Sequence, residues 1–283
     1  MYDVIELYPT NKYDYKCICF SNDEKQKEWS LTKTENILNS EIFNKVEREI
    51  RILGGEPTQW EYLIDFIYAL RKKNEKVKIT LRTNGIKLTK DSEYGKTFVE
   101  CCKDCNVRIT ILYYNQESLG SIHLLKTEHL LNDVLMIPTS SIELEQLEDL
   151  FKILSKHVRV SWYLSFPSIK YKNFYTKLLS FIESQPKNTV QWNRRIIDKK
   201  MQSNYDLLKS ILSTKDVYKK YECNCGKNLI IYTDGKAYHC LSQAIHKVSP
   251  FSLKSPKEVK WVTCKYDMCH PTNIFELRLK KKD

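Results

Sequence analysis

Apolar and polar residues alternate in short blocks along most of the chain, and the blocks change period regularly. Val4-Ile5-Glu6-Leu7 reads as a first strand. After a turn at Pro9-Thr10-Asn11, Thr32-Lys33-Thr34-Glu35 has the form of a capping box. Behind it Ile37, Leu38, Ile42, Phe43, Val46 and Ile50 follow helical spacing. Ile50-Arg51-Ile52-Leu53 predicts a second strand running straight into Gly54-Gly55-Glu56-Pro57. Thr58-Gln59-Trp60-Glu61, a further capping box, predicts that a helix starts at once, with Leu63, Ile64, Phe66, Ile67 and Leu70 on one face. Basic residues Arg71-Lys72-Lys73 suit its C-terminus.

The same alternation continues. Strands are predicted at Val77–Leu81, Val107–Leu112, Val134–Ile137 and Val158–Leu164. Helices are predicted over Ser92–Lys103, after the capping box Ser140-Ser141-Ile142-Glu143, and over Tyr171–Glu183, with a less regular stretch at Leu119–Leu131. Six strand–helix units in the first 185 residues argue for a parallel sheet with helices outside it. Right-handed crossovers would curl that sheet into a barrel or a wound sheet. Thr80 and Arg82, Thr110 and Leu112, and Ser161 and Tyr163 share strand faces opposite apolar residues. A parallel sheet buried on both faces reads as continuous Val, Ile and Leu, so one semi-polar face points to a barrel holding something polar. After Pro186 the pattern loosens through the polar, basic segment 188–200 and a helix near Tyr205–Leu212. Leu229-Ile230-Ile231-Tyr232, Thr233-Asp234-Gly235-Lys236 and Ala237-Tyr238-His239-Cys240 then read as a β-hairpin with an Asp-Gly turn.

The expected architecture is therefore α/β, a partial (β/α)6 barrel of parallel strands over residues 1–185. A bridging helical segment at 186–222 and a small C-terminal β-hairpin and cysteine-rich extension at 223–283 complete it. With 42% hydrophobic and 12% aromatic residues among 283, the chain has ample material for a core. No apolar run approaches the roughly 20 residues of a membrane span, and Met1–Glu6 does not look like a signal peptide. A cytoplasmic location is expected. The net charge of +11 comes from lysines spread along the chain, so it reads as a solvated surface rather than a nucleic-acid interface. Trp192-Asn193-Arg194-Arg195 is the one stretch that could stack on and neutralise nucleic acid, and a linker explains it as well.

The ten cysteines change the picture, because a reducing compartment disfavours disulfides and clustered thiols then point to metal or redox chemistry. Cys101, Cys102 and Cys105 precede a strand, at the end of the sheet opposite the ligand edge, and read as packing thiols. Cys225, Cys240, Cys264 and Cys269 supply four thiolates, enough for a [4Fe–4S] cluster or for zinc. Cys223 is a spare or substitute ligand. His239 and His246 read as surface histidines.

Gly54-Gly55-Glu56-Pro57 after a second strand, Thr83-Asn84-Gly85 after a third and a cysteine loop after the first resemble, in order, the radical S-adenosylmethionine (SAM) superfamily. The tail from Cys225 to Cys269 is similar to its SPASM or twitch extensions. The resemblance implies that Gly54, Gly55, Glu56, Pro57, Thr83 and Asn84 bind SAM, the glycine motif holding its amino group. It implies that the loop with Cys17 and Cys19 binds a [4Fe–4S] cluster and the C-terminal cysteines an auxiliary one. The family's three-cysteine pattern, C-x3-C-x2-C, is degenerate here. With Cys17 as the middle ligand, Tyr13 stands at the first position and Phe20 at the third. A tyrosine phenol is a poor ligand for soft metals. Two outcomes stay open: a radical enzyme modifying a peptide or protein with the help of an electron donor, or a binding or partner protein that has lost the N-terminal cluster. An unrelated α/β protein with a C-terminal zinc site is a third.

Overall fold

The computed structural model describes residues 2–13, 26–89, 92–113, 116–136, 144–158, 160–162, 172–186, 190–192, 194–197, 200–203, 221–223, 228–240, 243–244, 247, 250, 253, 262–263 and 278–281. For 190–203, 221–223, 262–263 and 278–281 only the backbone is described. The chain forms two compact units: residues 1–112, 116–133 and 227–258, and residues 113–115, 134–226 and 259–283.

Strand and helix alternate from the start: β1 (Tyr2–Leu7), α1 (Leu31–Leu38), β2 (Val46–Ile52), α2 (Leu63–Lys73), β3 (Lys78–Thr83), α3 (Glu93–Asp104), β4 (Val107–Tyr113), α4 (Leu119–Thr127), β5 (Leu131–Met136), α5 (Leu144–Leu154), β6 (Val160–Trp162) and α6 (Lys172–Ser184). Eight short strands follow: β7 (Val190–Trp192), β8 (Arg194–Ile197), β9 (Lys200–Ser203), β10 (Tyr221–Cys223), β11 (Asn228–Ile231), β12 (Ala237–Tyr238), β13 (Val262–Thr263) and β14 (Arg278–Lys281). Strands β1 to β6 lie in numerical order in one open, mostly parallel sheet, the partial (β/α)6 barrel that the alternation predicts.

In the first unit β1, β2, β3 and β4 pair in parallel, with Ile5 beside Ile50, Ile50 beside Ile79 and Ile79 beside Val107. That face is fully buried and apolar along its length, through Leu7, Ile52, Leu81, Ile109 and Ile111. The opposite face carries Glu6, Glu49, Arg51, Thr80 and Thr110, all buried. Arg51 joins its two acids there. Its Nε and Nη2 donate to Glu49 Oε2 at 2.9 and 2.7 Å, and its Nη1 to Glu6 Oε1 at 3.3 Å. Thr80 Oγ1 donates to Glu49 Oε1 at 2.8 Å, and Asn132 Nδ2 to Thr110 Oγ1 at 3.2 Å. Glu6, Arg51, Glu49 and Thr80 on this face thus form one connected network, and Thr110 with Asn132 a separate pair.

The hairpin of β11 and β12 belongs to the first unit. β11 runs parallel to β1, Ile5 pairing with Leu229 and Leu7 with Ile231, and β12 returns antiparallel outside it. In the second unit β6 pairs in parallel with both β5 and β7. Phe151 of α5 stacks on Trp162 of β6 at 5.5 Å, and Phe181 of α6 meets Phe151 edge-on at 5.7 Å. A five-stranded sheet of order β13-β10-β14-β8-β9 completes this unit, and only its β14–β8 pair is parallel.

Four local readings are revised. Helical spacing ran on to Ile50, yet α1 stops at Leu38: Ser40 Oγ bonds the Ile37 carbonyl at 2.6 Å, and Ile42 and Phe43 fall in a 3-10 turn, Glu41–Lys45. Ser30, whose hydroxyl accepts from Lys33 N, caps α1 rather than Thr32. Leu119–Thr127, read as a less regular stretch, is a helix; its buried Ser121 interrupts the apolar stripe and bonds the Leu88 carbonyl instead. The polar stretch read as linker holds β7 and β8. The capping box at 140–143 and the helix near 205–212 lie outside the described residues.

Burial alone would push the Glu49 carboxyl up, but the charge and hydrogen bonds of Arg51, with help from Thr80 and Lys78, hold it below its ordinary 4.5. The stabilisation it contributes is therefore present above that value and lost as pH falls through the lower, folded value. Arg51→Leu strands two buried carboxylates and should lower stability by about 3–5 kcal/mol near neutral pH. Urea midpoints check this, and the deficit should shrink on acidification below 4.5 as the carboxyls protonate.

Candidate functional site

The loops at the carboxyl ends of β1, β2 and β3 converge, and one side chain fastens the last two. Glu56 follows the glycine pair at the end of β2 and is 3% exposed. Its Oε1 accepts from Thr58 N at 3.0 Å, Thr58 Oγ1 at 2.6 Å and Thr83 Oγ1 at 2.5 Å. Its Oε2 accepts from Asn84 N at 2.7 Å. Burial pushes this carboxyl up, and the four donors pull against it. The expected helix start at Thr58 is replaced by this arrangement. Glu56 itself caps a 3-10 turn, Pro57–Gln59, and α2 begins only at Leu63. The side chain of Glu56, read as a ligand group, thus also serves as the joint between two turns.

The second turn is pinned again from behind. Ser118 Oγ donates to Asn84 O at 2.6 Å, and Ser121 Oγ reaches the Gly85 and Leu88 carbonyls. Asn84 Oδ1 accepts from Ile86 N at 2.9 Å. Thr83 and Asn84 are buried. Sequence reasoning missed Ser118 and Ser121. Their signal was two small polar residues three apart in an otherwise apolar segment.

The glycines serve the first loop. Gly55 N donates to Thr10 O at 2.7 Å and Glu56 N to Lys12 O at 2.6 Å. A Cβ on Gly55 would overlap the Lys12 carbonyl, and one on Gly54 would lie 2.6 Å from the Thr10 carbonyl. Gly54 also has φ +135°, which disfavours any side chain. Among the described residues, the backbone that comes close is the chain's own segment 10–12.

That segment is one foot of the loop carrying Cys17 and Cys19, which themselves lie outside the described residues. Its other foot returns beside it. Thr10 and Glu28 form an antiparallel bridge, Asn11 N donates to Lys27 O at 2.9 Å, and Lys12 Nζ meets Glu28 at 2.8 Å. Tyr13, at the position where the resemblance puts a first thiolate, donates its hydroxyl to Gly54 O at 3.2 Å. Trp29 ends the loop and is fully buried. Its N donates to Pro9 O at 2.7 Å, its indole to Tyr232 O at 2.9 Å, and its carbonyl accepts the Trp60 indole at 3.1 Å. Nothing in the local sequence singled out Trp29, because its partners lie 20 to 203 residues away.

Of the C-terminal candidate ligands, Cys240 is half-buried just after β12, while Cys225, Cys264 and Cys269 lie outside the described residues. His239 is not a surface residue. It is 6% exposed, and burial lowers its basicity. Cys101, Cys102 and Cys105 are buried, and burial pushes the Cys101 thiol up to about 12, which suits packing thiols and not metal ligands. Among the described residues no group of three or more His, Cys, Asp or Glu could hold a metal ion, and no helix is long and apolar enough to cross a membrane.

What the turn offers a ligand is acceptor oxygen. Glu56 Oε2 takes one of the four donors and has a second lone pair, so the turn fits an ammonium group such as that of SAM. The thiolates of the two cysteine groups suit iron–sulfur clusters by donor type.

No protein-family model and no curated protein matches the sequence. Solved structures do match the fold. The SuiB protein of Streptococcus suis, in complex with precursor peptide SuiA, aligns at TM-score 0.54 and 16% identity over 92% of this chain. The chain spans 64% of that protein's length. The protein anSMEcpe, with bound AdoMet and the Cp18Cys peptide, aligns at TM-score 0.56 and 16% identity over 93% of this chain and 78% of its own. The chain thus shares the fold of these two proteins.

Removing the joint should loosen both turns. Glu56→Ala leaves two buried N–H groups and two hydroxyls without their acceptor, so a loss of about 2–5 kcal/mol is expected by chemical denaturation. Gly55→Ala should undock the foot of the cysteine loop. Faster amide exchange at Gly54–Glu56 and at residues 10–12, with α5 and α6 unchanged, is the expected pattern.

Proposed function

We propose that the chain is a radical SAM-type protein that binds SAM at the edge formed by Gly54, Gly55, Glu56, Pro57, Thr83 and Asn84. It takes a peptide or protein as substrate. The observation that carries this reading is the convergence of the glycine turn, the Thr83-Asn84 turn and the foot of the cysteine loop on one sheet edge, the edge at which parallel α/β folds bind ligands. The peptide assignment rests on the fold shared with SuiB and anSMEcpe, both solved with peptides.

The chain's own groups have defined tasks in this reading. Glu56 Oε2 and the carbonyls of the glycine turn accept the ammonium of SAM. The donors on Glu56 keep that carboxylate in place, so binding needs no reorganisation of the turn. Gly54 and Gly55 admit the foot of the cysteine loop at this edge, and Cys17 and Cys19 would be the loop's thiolate ligands to the N-terminal cluster. Cys225, Cys240, Cys264 and Cys269 hold a second metal group, iron–sulfur in preference to zinc. A [4Fe–4S] cluster, when bound, supplies the electron that cleaves SAM reductively, with an external donor replenishing it in the reducing cytoplasm.

A second reading has a specific observation in its favour. The loop offers two thiols instead of three, and the residue in the first position, Tyr13, is engaged with Gly54. A chain that keeps the SAM edge but not the N-terminal cluster would act as a binding or partner protein.

Anaerobic reconstitution separates the readings. About eight irons per chain correspond to two clusters and about four to one, while stoichiometric zinc would replace both readings with a zinc-tailed α/β protein. Formation of 5′-deoxyadenosine from SAM with a strong reductant is expected of the enzyme alone. Cys240→Ala should remove the second metal group, and unchanged metal content would defeat that assignment. Glu56→Gln keeps the volume of the side chain but turns an NH2 towards Asn84 N in place of the acceptor Oε2, so it should weaken SAM binding by about tenfold or more through loss of the charge-assisted contact and of one bond in the joint.

A further inference from the structure

We propose that Tyr13 gates the SAM edge: its phenol occupies the Gly54 carbonyl and is displaced when the ammonium of SAM arrives. The inference rests on the SAM-binding reading above. It begins with what the turn can offer a cation. An ammonium is a donor only and needs oxygen partners. Glu56 Oε1 already receives three donors, more than its two lone pairs favour. Glu56 O accepts from Gln59 N at 3.0 Å. The oxygens left beside the glycines include Glu56 Oε2, with its single donor, and Gly54 O, which holds the hydroxyl of Tyr13 at 3.2 Å.

The exchange has a favourable direction. A neutral hydroxyl-to-carbonyl bond is worth about 0.5–1.5 kcal/mol net, and one to a charged donor about 1.5–3. Tyr13 as a residue is half-buried and its bond to Gly54 O is part-buried, so the exchange takes place at a site that is not sealed from solvent. Its departure does not free the backbone beneath it. Thr10 and Lys12 stay on Gly55 and Glu56, and Lys12 N stays on Thr10 Oγ1 at 3.0 Å. Tyr13 is four residues before Cys17. Occupancy of the turn would thereby reach the cysteine loop through one side chain, while the foot of the loop remains docked.

The test is calorimetric titration of the full chain with two probes: SAM, and 5′-methylthioadenosine, which has the nucleoside and sulfur but no ammonium. Wild type, Tyr13→Phe and Tyr13→Leu are compared, with urea midpoints confirming that all three fold. Without a hydroxyl to displace, both variants should bind SAM about threefold to tenfold more tightly than wild type, the equivalent of one neutral hydrogen bond. Affinity for 5′-methylthioadenosine should not change. The tyrosine ultraviolet difference signal should appear on adding SAM to wild type and be reduced in both variants. SAM affinity that is equal or weaker in the variants, with wild type binding normally, overturns the gate and leaves the SAM reading intact. Equal tightening for both probes also overturns it, since the effect would not depend on the ammonium. No SAM binding by any of the three overturns the gate together with the reading on which it rests.

Discussion

A carboxylate taken out of water and given four donors of its own chain is the constraint on which this site is built. Desolvation of Glu56 is costly, and only donors held in position can offset it. Those donors come from the turn after β2 and the turn after β3, so neither loop can move without uncovering the charge. The joint is local in sequence on one side, through Thr58, and 27 to 28 residues distant on the other. It converts two independent loops into a single edge. Ser118 and Ser121 then extend the joint to α4 and the turn before it.

The cysteine loop meets that edge backbone to backbone, which is why two adjacent glycines stand there. Side chains at those positions would collide with the Thr10 and Lys12 carbonyls, and no rotamer change relieves a clash with a Cβ. Trp29 closes the far end of the loop and spends every polar atom it has on a different segment: the end of β1, the turn before α2, and the hairpin after β11. The hairpin is thus tied to the N-terminal loop by a buried hydrogen bond as well as by the β1–β11 ladder. A tail that looks separable in the sequence is, in its hairpin, part of the first unit's sheet.

The two faces of the β1–β4 sheet divide the work differently. One is uniformly apolar and holds the first unit together by burial. The other carries Glu6, Glu49 and Arg51, whose mutual attraction offsets a desolvation that apolar residues would not incur. A buried ion network seldom adds net stability, so its presence on this face accords with polar surroundings and not with a packed apolar core.

The alternation of strands and helices, the glycine turn, the Thr83-Asn84 turn and the Asp-Gly hairpin were all legible in the sequence. Each is set by the period of apolar residues or by backbone preferences acting over a few positions. The semi-polar face was legible for the same reason, as a period of two. What tertiary structure decided was every partnership across long separations. Glu56 looked like a ligand group, and only folding brought Thr83 and Asn84 to it. The glycine pair marked a turn, and only the return of residues 10–12 showed the backbone that packs against it. Trp29 carried no local pattern, because hydrogen bonds to distant carbonyls leave no trace in the spacing of neighbouring residues. Even α1 ended early for such a reason, since beyond Ser40 pairing of β2 with β1 and β3 outweighed a helical period that the sequence alone would have continued.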